Sequence, residues 1–463
     1  MTISRRGFAA TSIAALALGG WARLGSAQSG DTYRNEVQGY GPLRPDPAGY
    51  FDLPEGFSYR VLAKAGETMD DGFIAPDNFD GMGCFALPDG HLALVRNHEL
   101  SLGSEAKGPA GTDPALEARL AAAGPFDRGQ TGRVLPGGTT TLLLDPKGER
   151  VLRQHLSLAG TSTNCAGGVT PWGSWLTCEE TVVSAPRTGT SHGWVFEVPA
   201  SATGMVTPTP LKAMGRFRHE AAAIDPRTGI VYQTEDQDDG LFYRFIPAVP
   251  GRLAEGGRLQ ALAFADGQRD SRNWNSADFA PGTTRAVRWI DLTDVDNPED
   301  DLRQRGHAAG AVRFARGEGI HLGQRADGGA EFFFTCTSGG PGRYGQIMRY
   351  RPSLAEGAAG EATRPGQIAL FHESVDPLLL DYADNLTVAP WGHLIVCEDR
   401  SGSKINHLRC VTPEGRTYTL ARLNAETELA GACFSPDGKT LFVNAYAPGR
   451  TLAITGPWTR LAG

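Results

Sequence analysis

The stretch Pro171-Trp172-Gly173-Ser174-Trp175-Leu176-Thr177-Cys178-Glu179-Glu180 returns as Pro390-Trp391-Gly392-His393-Leu394-Ile395-Val396-Cys397-Glu398-Asp399. Pro, Trp, Gly, Cys and Glu recur in the same register, 219 residues apart. A Pro-Trp-Gly turn, an apolar run and an acidic end describe the second arm of a β-hairpin. Outward from this pair, a looser form of the pattern occurs four more times: an apolar run, a turn, a second apolar run and a polar end. The copies are Met82–Glu99 turning at Pro88-Asp89-Gly90, and Glu220–Asp236 turning at Asp225-Pro226-Arg227-Thr228-Gly229. Glu318–Ser338 turns at Ala326-Asp327-Gly328, and Gly431–Tyr446 at Pro436-Asp437-Gly438. Third strands follow several of them, at Trp194–Val198, Leu241–Ile246 and Gln346–Arg351.

Six hairpin units of three or four strands predict an all-β fold, a six-bladed β-propeller with helical and loop insertions. Stacking blades in a ring buries apolar faces that one blade cannot bury alone. Gly56–Leu62 is expected to add a strand to the last blade and close the ring. Of the two insertions, residues 101–130 carry a helix with Thr112 as cap, Pro114 in its first turn and Gly124 beyond its end. Residues 251–312 carry another helix after Asn297-Pro298.

The composition agrees. Sixty Gly and 30 Pro, spread through 463 residues, suit short strands and tight turns and argue against a helical bundle or a disordered chain. A net charge of −8 opposes non-specific binding of nucleic acid. No internal run of about eighteen apolar residues is present, so no membrane span is expected. The start reads as an export signal. Ser4-Arg5-Arg6-Gly7-Phe8 is a twin-arginine sequence, Phe8–Leu18 is apolar, and Gly25-Ser26-Ala27 offers small residues for cleavage. The expected organisation is a signal peptide over 1–27, a linker over 28–50 and one propeller domain over 51–463. The twin-arginine export machinery is the implied partner, and a periplasmic or secreted monomer the implied product. Seven cysteines (84, 165, 178, 336, 397, 410 and 433) fit neither zinc-knuckle nor C-x-x-C spacing. Most lie in apolar strand-like runs, as small buried hydrophobes do.

In a hairpin, the start of the first strand and the end of the second lie at the same end. The first-strand starts carry Asp80, Asn164, Glu220, Glu318, Asn385 and Glu428. The second-strand ends carry Asn97 to Glu99, Cys178 to Glu180, Glu235, Asp236, Glu398, Asp399 and Asn444. With first strands lining the central channel, every blade delivers acids or amides to one mouth of it. Carboxylates gathered in such number repel one another unless protonated or neutralised by cations, so the set reads as a metal site. Oxygen ligands favour hard ions such as calcium, and a thiolate from Cys178 suits a transition metal such as iron. Cys178 and Glu179 face opposite sides of an extended strand, so both reach one site only where the strand bulges or ends. Cys178, flanked by Thr177 and two acids, stands as a candidate ligand; Cys397, after Leu394-Ile395-Val396, reads as core packing. His98 and His219 each precede a Glu at the mouth. Gly340-Pro341-Gly342-Arg343-Tyr344-Gly345 has G-x-G-x-x-G spacing, but a strand follows it rather than a helix, which rules out a dinucleotide loop.

Asn164-Cys165-Ala166-Gly167-Gly168-Val169-Thr170-Pro171-Trp172-Gly173, running into Trp175–Glu180, resembles the signature of the PhoX-type alkaline phosphatases. The resemblance continues through Arg218–Ala222, Asp384–Val388, Glu428–Gly438 and Ala453–Trp458. It implies a six-bladed propeller that hydrolyses phosphate monoesters, with a cysteine-ligated pair of ferric ions (Fe3+) and several calcium ions (Ca2+). By the same resemblance Cys178 is the iron thiolate. Glu179, Glu220, Glu235, Glu318 and Glu398 are the carboxylate ligands, with Glu99, Asp236, Asp399 and Glu428 as further ones. Asn164 and Arg316 then contact phosphate oxygens. Two other readings of the residues are a calcium-dependent propeller hydrolase such as a lactonase, and a non-catalytic, calcium-stabilised binding propeller.

Overall fold

Every turn read from the sequence joins two antiparallel strands in the computed structural model of the chain, which describes residues 32–400 and 405–461. The twin-arginine stretch and its cleavage site fall outside the described residues. Six inner strands head the hairpins: β1 (Phe79–Ala86), β2 (Asn164–Val169), β3 (His219–Ile224), β4 (Gly317–Gln324), β5 (Ala383–Val388) and β6 (Leu429–Phe434). Each pairs with the strand after its turn, namely Leu92–His98, Ser174–Glu179, Val231–Glu235, Ala330–Cys336, Leu394–Glu398 and Thr440–Ala445. The inner strands pack side by side in chain order, and β6 returns to β1. The result is an all-β propeller around one axis.

Apolar side chains fill the wedges between neighbouring blades. Leu94, Leu142 and Phe442 pack where the first and last blades meet, and Leu176, Val195, Ala222 and Tyr243 between the second and third. Each fully buried side chain of this size contributes about 1.5–3 kcal/mol relative to exposure, so the ring is held by interfaces rather than by any one blade. Ser58–Lys64 pairs with Arg450–Thr455 and completes the last blade with a strand from the chain start, as expected.

Three features depart from expectation. Among the described residues there are five separate sheets in place of six separate blades, because Thr284–Asp291 pairs with Gly257–Phe264 on one side and Gln367–Glu373 on the other. The insertion thus welds the third and fourth blades into one nine-stranded sheet. The described part of the stretch 28–50 is packed, not a linker. Leu43–Arg44 pairs with Phe51–Pro54, which adds to Thr417–Leu423 of the fifth blade, and Tyr40, Phe51 and Leu53 bury their apolar surface there. Helix α1 (Pro114–Ala122) starts from Asp113, whose Oδ1 accepts from Ala115 N at 2.7 Å, rather than from Thr112. Helix α2 (Leu302–Ala308) follows Asn297-Pro298 as expected. No helix among the described residues is long and apolar enough to cross a membrane.

Candidate metal centre

One local device, repeated around the ring, builds the site. At the mouth, the first pairs of the first five hairpins are Phe79 with His98, Asn164 with Glu179, His219 with Glu235, Gly317 with Cys336 and Ala383 with Glu398. Directly after each pair the register slips by one residue. A bulge re-aims the side chain beside it, and the residues so placed are Asp80, Cys165, Glu220, Glu318 and Asp384. On four of the partner strands, the residue beyond the pair is an acid: Glu99, Glu180, Asp236 or Asp399. Its backbone N–H donates to the carbonyl of the residue that precedes the inner strand: Glu99 to Asn78 at 3.0 Å, Glu180 to Thr163 at 2.8 Å, Asp236 to Arg218 at 3.3 Å and Asp399 to Tyr382 at 3.0 Å. Four residues that precede inner strands, Asn78, Thr163, Arg316 and Tyr382, have left-handed φ values of 51°, 53°, 55° and 56°. Such backbone costs about 1 kcal/mol or more per non-glycine residue and gathers at functional sites.

Asp80, Glu99 and Cys165 each present a ligand atom within 4.8 Å of the other two, and so do Cys165, Glu180 and Glu220, and Glu220, Glu318 and Asp384. Cys165 and Glu220 are shared, so the three groups form one arc. Cys165 Sγ stands 3.1 Å from Glu220 Oε1 and 3.6 Å from Asp80 Oδ2. Glu220 Oε2 is buried with no hydrogen-bond partner. Arg316 closes the acidic arc, donating to Asp236 at 2.7 and 2.8 Å and to Glu318 at 2.7 Å. Tyr446 OH donates to Glu99 Oε2 at 2.5 Å and accepts from Asn78 Nδ2 at 2.6 Å. Burial, then repulsion between neighbours, pushes the carboxyls of Glu99 and Asp384 up to about 7. Asp80, Glu180, Glu220, Glu318 and Glu428 lie well above the ordinary carboxylate range for the same reasons. Burial and the adjacent acids also raise the Cys165 thiol, while the Glu318 charge raises the Arg316 guanidinium. Such a cluster holds either protons or cations.

Past the acids, the inner strands continue into an apolar cavity of about 330 Å3, lined by Met82, Val169, Ile224, Leu322 and Phe434 among others. It brings no carboxylate, so the chemistry belongs to the acidic mouth. The sequence as a whole agrees with this geometry: a profile of the alkaline phosphatase PhoX family matches residues 38–449. The chain belongs to the PhoX alkaline phosphatase family. Membership makes it a phosphatase, a hydrolase of phosphate esters. Pseudomonas fluorescens PhoX, solved in complex with vanadate, a transition state analogue, is similar in fold. It is 20% identical with a TM-score of 0.64, over 88% of this chain and 96% of that one. A gluconolactonase from Xanthomonas campestris is more distant, at 12% identity and a TM-score of 0.41 over 90% and 98% of the two chains. No curated protein matches the chain.

In this PhoX-family chain the structure corrects several expected ligands. Cys178 packs among Leu176, Val195, Ala222 and Tyr243, and burial alone raises its thiol. Glu179 is consumed by the second blade. Its Oε1 accepts from Ser162 N at 2.9 Å and pairs with His192 Nδ1 at 2.6 Å, and its Oε2 accepts from Gly193 N at 2.9 Å. Glu398 likewise accepts from Asp381 N and His407 N, each at 3.1 Å, and pairs with His407 Nδ1 at 2.7 Å. Glu235 Oε2 accepts from Leu241 N at 3.1 Å and Tyr243 OH at 2.7 Å. Asn164 spends its amide inside the blade, on Thr161 at 2.6 Å and Thr177 at 2.9 Å. The mouth does collect Glu99, Glu220, Asp236, Glu318, Asp399, Glu428 and Arg316. It adds Asp80, Cys165, Glu180 and Asp384, which sequence reasoning had not chosen as ligands. For Glu180 a signal exists in the doublets His98-Glu99, Glu179-Glu180, Glu235-Asp236 and Glu398-Asp399. In each, the first side chain is tied into its blade and the second faces the axis, as strand alternation requires.

Proposed function

We propose that this protein is an exported, metal-dependent phosphomonoesterase that holds iron and calcium at the acidic mouth. The observation that carries the reading is Cys165 beside Glu220, with a buried and partnerless Glu220 oxygen, inside an arc of mutually repelling acids. The donor set fits the ions: one soft sulfur for iron, many carboxylate oxygens for calcium. Asp80, Cys165, Glu180, Glu220, Glu318 and Asp384 would hold them, with Glu99, Asp236, Asp399 and Glu428 adjoining. Bound cations supply the positive charge that draws a phosphate dianion to an acidic protein, polarises the phosphoryl group and stabilises the leaving oxygen.

The chain's own residues do the positioning. Arg316, anchored by Asp236 and Glu318 through Nε and Nη2, keeps Nη1 for a phosphate oxygen. Tyr446, oriented by Asn78, holds a proton against Glu99 Oε2 and fixes that carboxyl. Glu179, Glu235 and Glu398 bind backbone N–H groups and neighbouring side chains, and so keep the adjacent axis-facing acids in place. Arg5-Arg6 and the apolar residues after them support export through the twin-arginine machinery as a folded, metal-loaded monomer. The deciding assay uses the mature protein with iron and calcium bound and a generic aryl phosphate. Turnover that disappears on chelation is expected, and no turnover at full metal occupancy would reject the reading.

A further inference from the structure

The glycine-rich loop Gly340–Gly345 leads into the strand Gln346–Arg351 and is built into the mouth. Thr337 N donates to Arg316 O at 3.0 Å, Thr337 Oγ1 to Ala383 O at 2.8 Å, and Tyr382 N to Tyr344 O at 2.9 Å. The loop therefore hangs from the entries of β4 and β5, whose Glu318 and Asp384 face the axis. A rigid platform supports it from beside. Trp274 Nε1 donates to Ser338 O at 2.6 Å, Gly340 N to Arg272 O at 2.9 Å, and both Asn273 and Gln346 donate to Glu373 Oε2 at 2.7 Å. Asn273 and Arg343 both have a left-handed φ of 56°, a strain that the platform holds in place.

Two guanidiniums stand over the Trp274 ring, Arg343 at 4.2 Å and Arg272 at 4.3 Å from its centre. Their charges are not equivalent. Arg272 is paired with Asp270, and the other arginines of the mouth, Arg218, Arg316 and Arg400, each hold a carboxylate. Arg343 is exposed and has no carboxylate partner among the described residues. Tyr382, which bonds Tyr344, is two residues from Asp384, and this places the Arg343 backbone within roughly 15 Å of the Asp384 backbone, a span that a small alcohol can cover.

We propose that Arg343, seated on Trp274, binds an anionic group on the leaving alcohol, so that the enzyme prefers phosphate monoesters whose alcohol carries a second negative charge such as a carboxylate. The inference rests on the phosphatase reading. Elsewhere a second anion meets a surface of net negative charge, whereas here it meets a free planar fork held in place by an indole. The test compares kcat/KM for 4-carboxyphenyl phosphate and phenyl phosphate, with metals bound. The wild type should favour the carboxylated ester through KM, and Arg343→Gln should lower that preference about tenfold. Arg343→Lys should keep most of it. Arg343→Gly, which relieves the left-handed backbone and so cannot owe its effect to misfolding, should match Arg343→Gln. An unchanged ratio in the Gln and Gly variants overturns the proposal. Absence of phenyl phosphate turnover in the wild type would instead count against the phosphatase reading. Calorimetric binding of 4-carboxyphenylphosphonate to the same variants then decides the subsite: a weakening of about tenfold on loss of Arg343 supports it, and equal affinity rejects it.

Discussion

Two cysteines, thirteen residues apart and both buried, separate the chemistry from the packing. Cys165 meets two carboxylates, and Cys178 packs in an apolar cluster. Cys165→Ala should therefore strip most of the bound iron and lower phosphatase activity by at least about 100-fold. Cys178→Ala should keep its iron and lose about 1–2 kcal/mol of stability to the small cavity it leaves. Elemental analysis and thermal unfolding of the two variants check this; iron unchanged in Cys165→Ala would remove that thiol from the site. Arg316→Gln shortens the side chain and removes the charge that faces Asp236 and Glu318. Loss of a preorganised donor to phosphate predicts a fall of about 100-fold or more in kcat/KM, with weaker inhibition by inorganic phosphate. Inhibition by phosphate equal to that of the wild type would show that Arg316 only balances the acids.

Among the elements, the loop after the second blade has its own lock. His192 lies fully buried between Glu179 at 2.6 Å and Asp127 at 3.1 Å, which ties the 101–130 insertion to the blade. Burial disfavours the imidazolium, but Glu179 and Asp127 outweigh it and raise the ring to about 9. Because the folded value lies above the unfolded one, this contribution is complete below pH about 6.5 and lost as pH rises through about 9. Its size is roughly 3 kcal/mol. Thermal stability of the wild type should fall between pH 7 and 10, and His192→Gln should be less stable at pH 7 with a flatter profile. Parallel profiles for both proteins would argue against a charged clamp. The hairpin elements were legible because turn chemistry is local. Pro-Asp-Gly and Pro-Trp-Gly stop a strand whatever surrounds them. The cap of α1 lies one residue beyond the expected Thr112, since Thr112 and Asp113 both suit a cap and only the chain path into Pro114 selects between them.

The whole ring concentrates charge in a way no single blade does. Without cations, Glu99 and Asp384 sit near 7, and burial together with their neighbours keeps five further acids well above the ordinary carboxylate range. Folded values above unfolded ones mean stability present below pH about 4 and lost as pH rises through about 7. The chelated protein should therefore melt at progressively lower temperature from pH 5 to 8, and added calcium and iron should flatten that slope. A chelated protein as stable at pH 8 as at pH 5 would show that the acids do not converge. The sequence alone determined the six hairpins, the closure of the ring by Ser58–Lys64 and the wealth of acids at one mouth, since alternation and turn residues act over a few positions. Only the tertiary structure decided that Cys165 and not Cys178, and Glu180 and not Glu179, face the axis. The side chains of successive residues on a strand point to opposite faces. Which of the two faces inward depends on a one-residue bulge, and on the direction of an axis that exists only once the ring has closed.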